Sequence, residues 1–143
     1  MTSPTVRCAR AEDVERLCAI DGADSSGGVG RRTLIESAVA AAHCLVLASD
    51  TEIIAFSITV PEAFFGRDFV ELLQVDERYR RAGVGSKLLR HTVELAKTPR
   101  VFTSTNQSNH PMRALLEVGG WHLSGELDGL DEGDTELVYF IDQ

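Results

Sequence analysis

Hydrophobic and polar positions change period several times along the chain, and each change marks an element. Residues 69–75 are apolar at all but two positions, Glu71 and Gln74, and predict a strand. Farther on, Val84, Leu88, Leu89, Val93, Leu95 and Ala96 supply one apolar side, which predicts a helix running to about residue 97. Upstream, the pattern gives a short strand near 6–8, a helix over 11–20 and an Ala-rich helix over 31–42. Strands follow at 44–48 and 53–60, joined by the polar turn 49–52. Pro61 closes the second, because it has no N–H to give a sheet. Beyond the long helix come a strand at 101–105, a short helix at 111–117 and strands at 121–126 and 137–141. Residues 21–30 are dense in Gly, Asp and Ser and read as a loop.

Mixed strands and helices around a central strand–loop–helix unit argue for one α/β (α+β) domain over residues 1–143. With 43% hydrophobic residues in 143, the chain can bury a sizeable core. No apolar run approaches the roughly 18 residues of a membrane span, and the first residues lack the apolar stretch of a secretory signal. The expectation is a cytoplasmic protein with no membrane partner. Cys8, Cys18 and Cys44 are odd in number, show no metal-ligand spacing and read as reduced, buried thiols. His43, His91, His110 and His122 are scattered, so no metal site is expected. Asp and Glu number 22 against 14 Lys and Arg, and a net charge of −8 argues against a nucleic-acid partner.

Against that acidic background, Arg78, Arg80, Arg81, Lys87 and Arg90 crowd into one segment. Within it, Gly83 and Gly85 stand where a backbone must turn tightly or meet a ligand closely. The helix that follows offers unpaired N–H groups and the positive end of its dipole, an anion site suited to a pyrophosphate. A solvated helix start, its arginines paired with Asp76 and Glu77, is the plain structural alternative. Neither a P-loop nor a dinucleotide fingerprint fits. The order Gly85-Ser86-Lys87 is wrong for the first, and only two of three glycines are present for the second.

The segment resembles the acyl-CoA loop of the GNAT superfamily of N-acyltransferases, R/Q-x-x-G-x-G/A after the fourth strand. Arg80-Arg81-Ala82-Gly83-Val84-Gly85 matches every fixed position. Downstream, Asn109, Leu116, Gly120 and Trp121 have the spacing of the family's Asn, Tyr, Gly and Phe, and the element order agrees over nearly the whole chain. The resemblance implies a mixed, mostly antiparallel sheet of six to seven strands with about four helices. Its fourth and fifth strands would run parallel and splay apart. It also implies acetyl-CoA as acyl donor. The pantetheine arm would pair with the backbone of Leu73, Gln74 and Val75, and Val75 N–H would hold the acyl oxygen. The pyrophosphate would rest on Arg80, Arg81, Ala82, Gly83, Val84, Gly85 and Ser86, with Asn109 contacting CoA or ordering its loop. In the family the amine attacks directly in a ternary complex, so the cysteines need no nucleophilic role. A homodimer is compatible with the resemblance.

Glu71 interrupts the apolar strand and is the candidate general base. Desolvation there would raise its pKa, and strand alternation gives it the parity of Val75. A structural carboxylate paired with an arginine, or one that only contacts substrate, is the other reading. The family's general-acid tyrosine falls at Leu116, which has no proton to give. Ser108, Tyr139 or water could supply it, or none is needed for a thiol of pKa about 8.5. The alternative function is a non-catalytic acyl-CoA-binding or sensor module.

Residues 103–109 are rich in Ser, Thr and Asn. Asn109 has a mixed role as ligand contact and helix cap, and the others are read as strand-end and capping residues. Six carboxylates, Glu126, Asp128, Asp131, Glu132, Asp134 and Glu136, lie between the last two strands. The family's acceptor site borders this hairpin, so an acidic border favours a small cationic amine. A solvated acidic loop is the plain alternative. The loop 21–30 and Phe64-Phe65-Gly66 could shape the same pocket.

Overall fold

The computed structural model describes residues 3–23 and 30–143; the greater part of the loop expected to shape the acceptor pocket lies outside them. Seven strands form one sheet, β1 (Thr5–Cys8), β2 (Cys44–Ala48), β3 (Ile53–Phe64), β4 (Arg67–Val75), β5 (Arg100–Asn106), β6 (His122–Asp131) and β7 (Asp134–Asp142). Their order is β1-β2-β3-β4-β5-β7-β6, and every pairing is antiparallel except β4 with β5. Among the described residues four α-helices cover it: α1 (Val14–Asp21), α2 (Arg31–Ala40), α3 (Val84–Glu94) and α4 (His110–Val118).

The helices divide between the two faces. Leu17, Cys18, Ile35 and Ala38 of α1 and α2 pack on Cys44, Val46, Phe56 and Ile58, with Leu72 at the border. On the opposite face Leu88, Leu89 and Leu116 of α3 and α4 meet Leu47, Ala55, Val70, Val101, Leu137 and Tyr139. A buried hydrogen bond between the Ser57 and Thr92 hydroxyls, 2.8 Å, ties β3 to α3. Each fully buried Leu or Phe contributes about 1.5–3 kcal/mol by leaving water.

The sheet parts at one place. β4 and β5 pair only at Asp68↔Val101, Phe69↔Phe102 and Val70↔Thr103, so from Glu71 and Ser104 onward they diverge. A bulge sits at the same point: Ile58 faces Leu72 and Thr59 faces Val70, which leaves Glu71 as the extra residue. Buried Asp68 anchors the closed end. Its carboxylate accepts from Glu62 N–H (3.0 Å) and Lys97 N–H (2.8 Å), and its own N–H donates to Thr98 Oγ1 (3.0 Å).

Several boundaries differ from the sequence expectation. Pro61 does not end β3, which continues to Phe64; the ladder skips from Val60↔Phe69 to Phe64↔Arg67, and Pro61 lies in the irregular stretch where no N–H is needed. Helix α1 begins at Val14 behind a 3-10 turn, Ala11–Asp13, and α3 stops at Glu94. The acidic run is not a loop. Glu126, Asp128 and Asp131 belong to β6 and Asp134 and Glu136 to β7, whose hairpin turns only at Glu132 and Gly133. Nearly all of β6 is exposed on both faces, so no apolar alternation marks it.

Candidate active site

The loop after β4 is set by one carboxylate. Asp76 caps the 3-10 turn Glu77–Tyr79 by accepting from Arg78 N–H, 2.9 Å. It also takes charged hydrogen bonds from the Arg78 side chain and from Arg16 of α1, and both arginines reach Glu52 as well. These bonds, Arg78's foremost, hold the Asp76 carboxyl well below the usual carboxylate range. The structural alternative is therefore right for Arg78, which is spent on this network with Asp76 and Glu52. Nothing local in the sequence points to Arg16 or Glu52, because they arrive from other elements.

Past the turn the chain is free to hold an anion. Arg81 sits at φ +66° and Gly83 at φ +77°, and a Cβ on Gly83 would meet nothing within 4 Å. Gly83 thus serves the turn and leaves open space beside it. Gly85 acts differently, through packing. A Cβ there would stand 2.8 Å from Leu115 Cδ1, so its bareness sets the approach of α4 to α3. No side chain caps α3, and its first backbone bond runs from Lys87 N–H to Gly83 C=O, 3.1 Å. The N–H groups of Val84, Gly85 and Ser86 therefore have no partner within the helix, and this open, Gly-lined cradle fits a diphosphate.

The expected donor residues converge. Leu73, Gln74, Val75, Arg80, Arg81, Gly83, Gly85, Ser86 and Asn109 line one cleft of about 680 Å³, with Tyr79, Pro111, Met112 and Leu115 completing it. Ala82 and Val84 do not line it; the Val84 side chain packs toward Leu88 in the core, so these two can offer only backbone. Asp76 N–H donates to Ile54 C=O on β3 (2.8 Å), and amides alternate along a strand. The N–H and C=O of Val75, and of Leu73 two residues before it, accordingly point away from β3 into the gap. Arg80 Nε donates to that Val75 carbonyl, 3.3 Å. Asn109 caps α4 by accepting from Met112 N–H, 3.2 Å, and also lines the cleft; the capping half of its expected role is thus seen.

Glu71 is the extra residue of the β4 bulge, which a count along one strand does not reveal. Val70 and Leu73 both pack under α3 and α4 while Leu72 packs under α1 and α2, so the bulge absorbs a residue at Glu71 and interrupts simple alternation along β4. The carboxylate is exposed, so the strand does not desolvate it. It stands at the mouth of the gap, on the bulge between Val70 and Leu72. Ser104, the first β5 residue beyond the pairing, lies across that mouth and donates to Glu136 of β7, 2.6 Å. In the sequence Ser104 is one of several strand-end polar residues, and its pairing with Glu136 is visible only once β5 and β7 are adjacent.

Of the possible acids, Ser108 is engaged by Asp134, and Tyr139 is buried in the same cluster as Leu116, whose side chain is wholly enclosed. Burial pushes the Cys44 thiol up to about 12, which keeps it protonated and unfit as a nucleophile. Cys8 is exposed, contrary to the expectation that all three thiols are buried, because it ends the edge strand β1.

With this geometry established, the chain can be set beside known proteins. It matches the acetyltransferase (GNAT) family over residues 15–120. A solved GNAT-family acetyltransferase from Bacillus cereus is 30% identical, covers 99% of both chains and superposes with a TM-score of 0.90. The protein yncA of Salmonella typhimurium, solved with its cofactor acetyl-CoA, shares the fold at 15% identity and a TM-score of 0.77, over 99% of this chain and 94% of that one. A spermine/spermidine N(1)-acetyltransferase of Bacillus subtilis is 34% identical over 67 residues, a match that spans 44% of each protein. The parted β4 and β5, the open Gly-lined start of α3 and a family match over most of the chain agree: the protein belongs to the acetyltransferase (GNAT) family, N-acetyltransferases whose acyl donor is acetyl-CoA.

Proposed function

We propose that the 143 residues form one catalytic domain that acetylates the primary amine of a small cationic acceptor by direct attack in a ternary complex. The observation that carries this reading is the gap between β4 and β5. One side opens on the phosphate cradle, the other on Glu71, Ser104 and Glu136, and the free N–H groups of Leu73 and Val75 lie between.

Acetyl-CoA would lie with its diphosphate on the α3 amides and its thioester in the gap. There Val75 N–H, with Leu73 N–H deeper in, receives the acyl oxygen as negative charge develops on it. The amine nitrogen attacks the carbonyl carbon, a C–N bond forms, and the C–S bond breaks to release CoA as thiolate. Glu71 takes the proton from the amine. No hydroxyl stands at position 116, so the thiolate leaves unassisted or takes its proton from water. The acidic β6–β7 hairpin beside the mouth supports a cationic acceptor, and the spermidine-acetylating relative supports a polyamine among the candidates. The net negative charge supports a small-molecule rather than a nucleic-acid partner, and three free cysteines support a cytoplasmic setting. Among the described residues no helix is long and apolar enough to cross a membrane.

Leu116 supports one second reading, a module that binds acyl-CoA without turning it over. Thermal shift separates binding from its absence, since a ligand of the folded state raises the melting temperature. Acetyl-CoA and CoA should raise it and ATP should not. Release of CoA across an amine panel then supports turnover, while binding with no release for any amine supports the sensor.

A further inference from the structure

On the face of the sheet that carries the mouth, directly below it, four rings lie in one register row across four strands. Phe69 of β4 pairs with Phe102 of β5, Phe102 with Phe140 of β7, and Phe140 with His122 of β6. Phe102 and Phe140 have centroids 5.8 Å apart, and His122 and Phe140 5.4 Å. Phe64 closes the near end, stacked on Phe69 at 5.3 Å and 4.7 Å from Phe102. Within the row Arg100, paired with Asp142, lies over Phe140. The apolar cluster beneath α1 and α2 draws on β2, β3 and β4 but on neither β5 nor β7, so among the described residues no helix covers this row. Phe64, Phe69, Phe102 and Phe140 are all partly exposed.

The row has a fixed relation to the proposed chemistry. Phe69–Phe102 is the pair before Val70–Thr103, where the strands part, and Ser104 is the next β5 residue on the same face as Phe102. Two residues of strand span about 6–7 Å. An amine held among Glu71, Ser104 and Glu136 would therefore have, about two carbons away, a shelf of partly exposed aromatic rings. A simple alkyl or wholly cationic acceptor would leave that shelf wet. Rings there reward a flat apolar group by burial and by offset or edge contacts.

We propose that the acceptor carries an aromatic body on a short arm from its primary amine, and that Phe69 and Phe102 select it. The proposal rests on the acetyltransferase reading and narrows its acceptor. It commits to an arylalkylamine because the aromatic row is continuous with the mouth of the gap, and the carboxylates there complement the ammonium end.

The test is CoA release with 2-phenylethylamine, butylamine and spermidine, on the wild type and on Phe102→Leu and Phe69→Leu. Leucine keeps an apolar side chain while removing the ring, and retained acetyl-CoA binding reports that each variant is folded. The wild type should prefer 2-phenylethylamine over butylamine in kcat/KM by about tenfold or more, and the ratio should fall toward one in the folded variants. Equal rates for the two amines, a preference for spermidine over both, or a ratio unmoved by both substitutions would overturn the aromatic acceptor while leaving amine acetylation intact. Binding of acetyl-CoA with no release for any amine would overturn both.

Discussion

Gly85 and Leu115 meet so closely that a Cβ on Gly85 would stand 2.8 Å from Leu115 Cδ1, with Val75 Cγ2 next at 3.5 Å. This contact sets the spacing of α3 and α4 and the depth of the cleft between them. The atom in the way is the end of a flexible side chain, so alanine can be admitted by rotating Leu115. The helical gain of about 1 kcal/mol for Ala over Gly offsets that shift. Gly85→Ala should stay within about 1 kcal/mol of wild type in urea unfolding. Gly85→Leu cannot be admitted that way and should cost about 1–3 kcal/mol. It should also weaken acetyl-CoA, because Leu115 would be driven into the cleft. A Gly85→Leu protein as stable as wild type would mean that α3 and α4 are not held at this contact.

At Gly83 the constraint is conformational. Its φ of +77° costs an L-residue about 1–2 kcal/mol, yet space for a Cβ is open. Gly83→Ala should therefore lower the melting temperature slightly and still bind acetyl-CoA in calorimetry. Gly83→Glu adds the same strain and a negative charge against the diphosphate, and should abolish binding. Unchanged affinity in the glutamate variant would remove the loop from the donor site.

Much of this site could be read from the residues because it is local. Arg80 to Ser86 form a turn and a helix start whose chemistry depends on near neighbours, and the run from Leu73 to Val75 needed only its strand. What escaped was non-local or hidden by irregularity. The bulge at Glu71 depends on how β3 pairs, so counting by twos could not foresee the extra residue, and the apolar neighbours made an exposed carboxylate look buried. Pro61 looked like a strand end because the skipped ladder that tolerates it forms only when β3 meets β4. Phe69, Phe102 and Phe140 lie more than thirty residues apart in turn, and only the order β4-β5-β7 aligns them. The acidic hairpin read as a loop because both its faces are wet.

The cysteines should separate by exposure. Cys8 is exposed, while Cys18 and Cys44 are buried. Burial also raises the Cys44 thiol to about 12, which suppresses its thiolate at neutral pH. Brief iodoacetamide treatment of the native protein should modify Cys8 alone, and all three should react in denaturant, as mass spectrometry would read. Rapid native labelling of Cys44 would contradict its burial and reopen a nucleophilic role.

Acid should act through Asp76. Its folded-state pKa lies below the unfolded value, so its contribution to stability is complete above the unfolded carboxylate range. That contribution is lost as pH falls toward the folded value. The melting-temperature gap between wild type and Asp76→Asn should be widest near neutrality and narrow progressively below about pH 4. A gap constant from pH 7 to pH 3 would show that the Arg16–Asp76–Arg78 network does not act through the charge of Asp76.

Glu71 stands at the mouth of the gap, away from the cleft in which Gly83, Gly85 and Asn109 gather, so donor binding and proton removal should come apart on mutation. Removing a general base typically costs two to four orders of magnitude in rate. Glu71→Gln keeps shape and hydrogen-bonding reach, and should lower kcat about 100-fold or more with acetyl-CoA affinity within about twofold of wild type. Glu136→Gln offers the contrast, since Glu136 already accepts from Ser104 and, in the proposed reaction, would attract the acceptor rather than take its proton. It should raise KM for the amine with a smaller change in kcat. If Glu71→Gln turns over near the normal rate, the proton leaves through water. If Glu71→Gln raises only KM, as expected of Glu136→Gln, both carboxylates serve only to recruit the ammonium group.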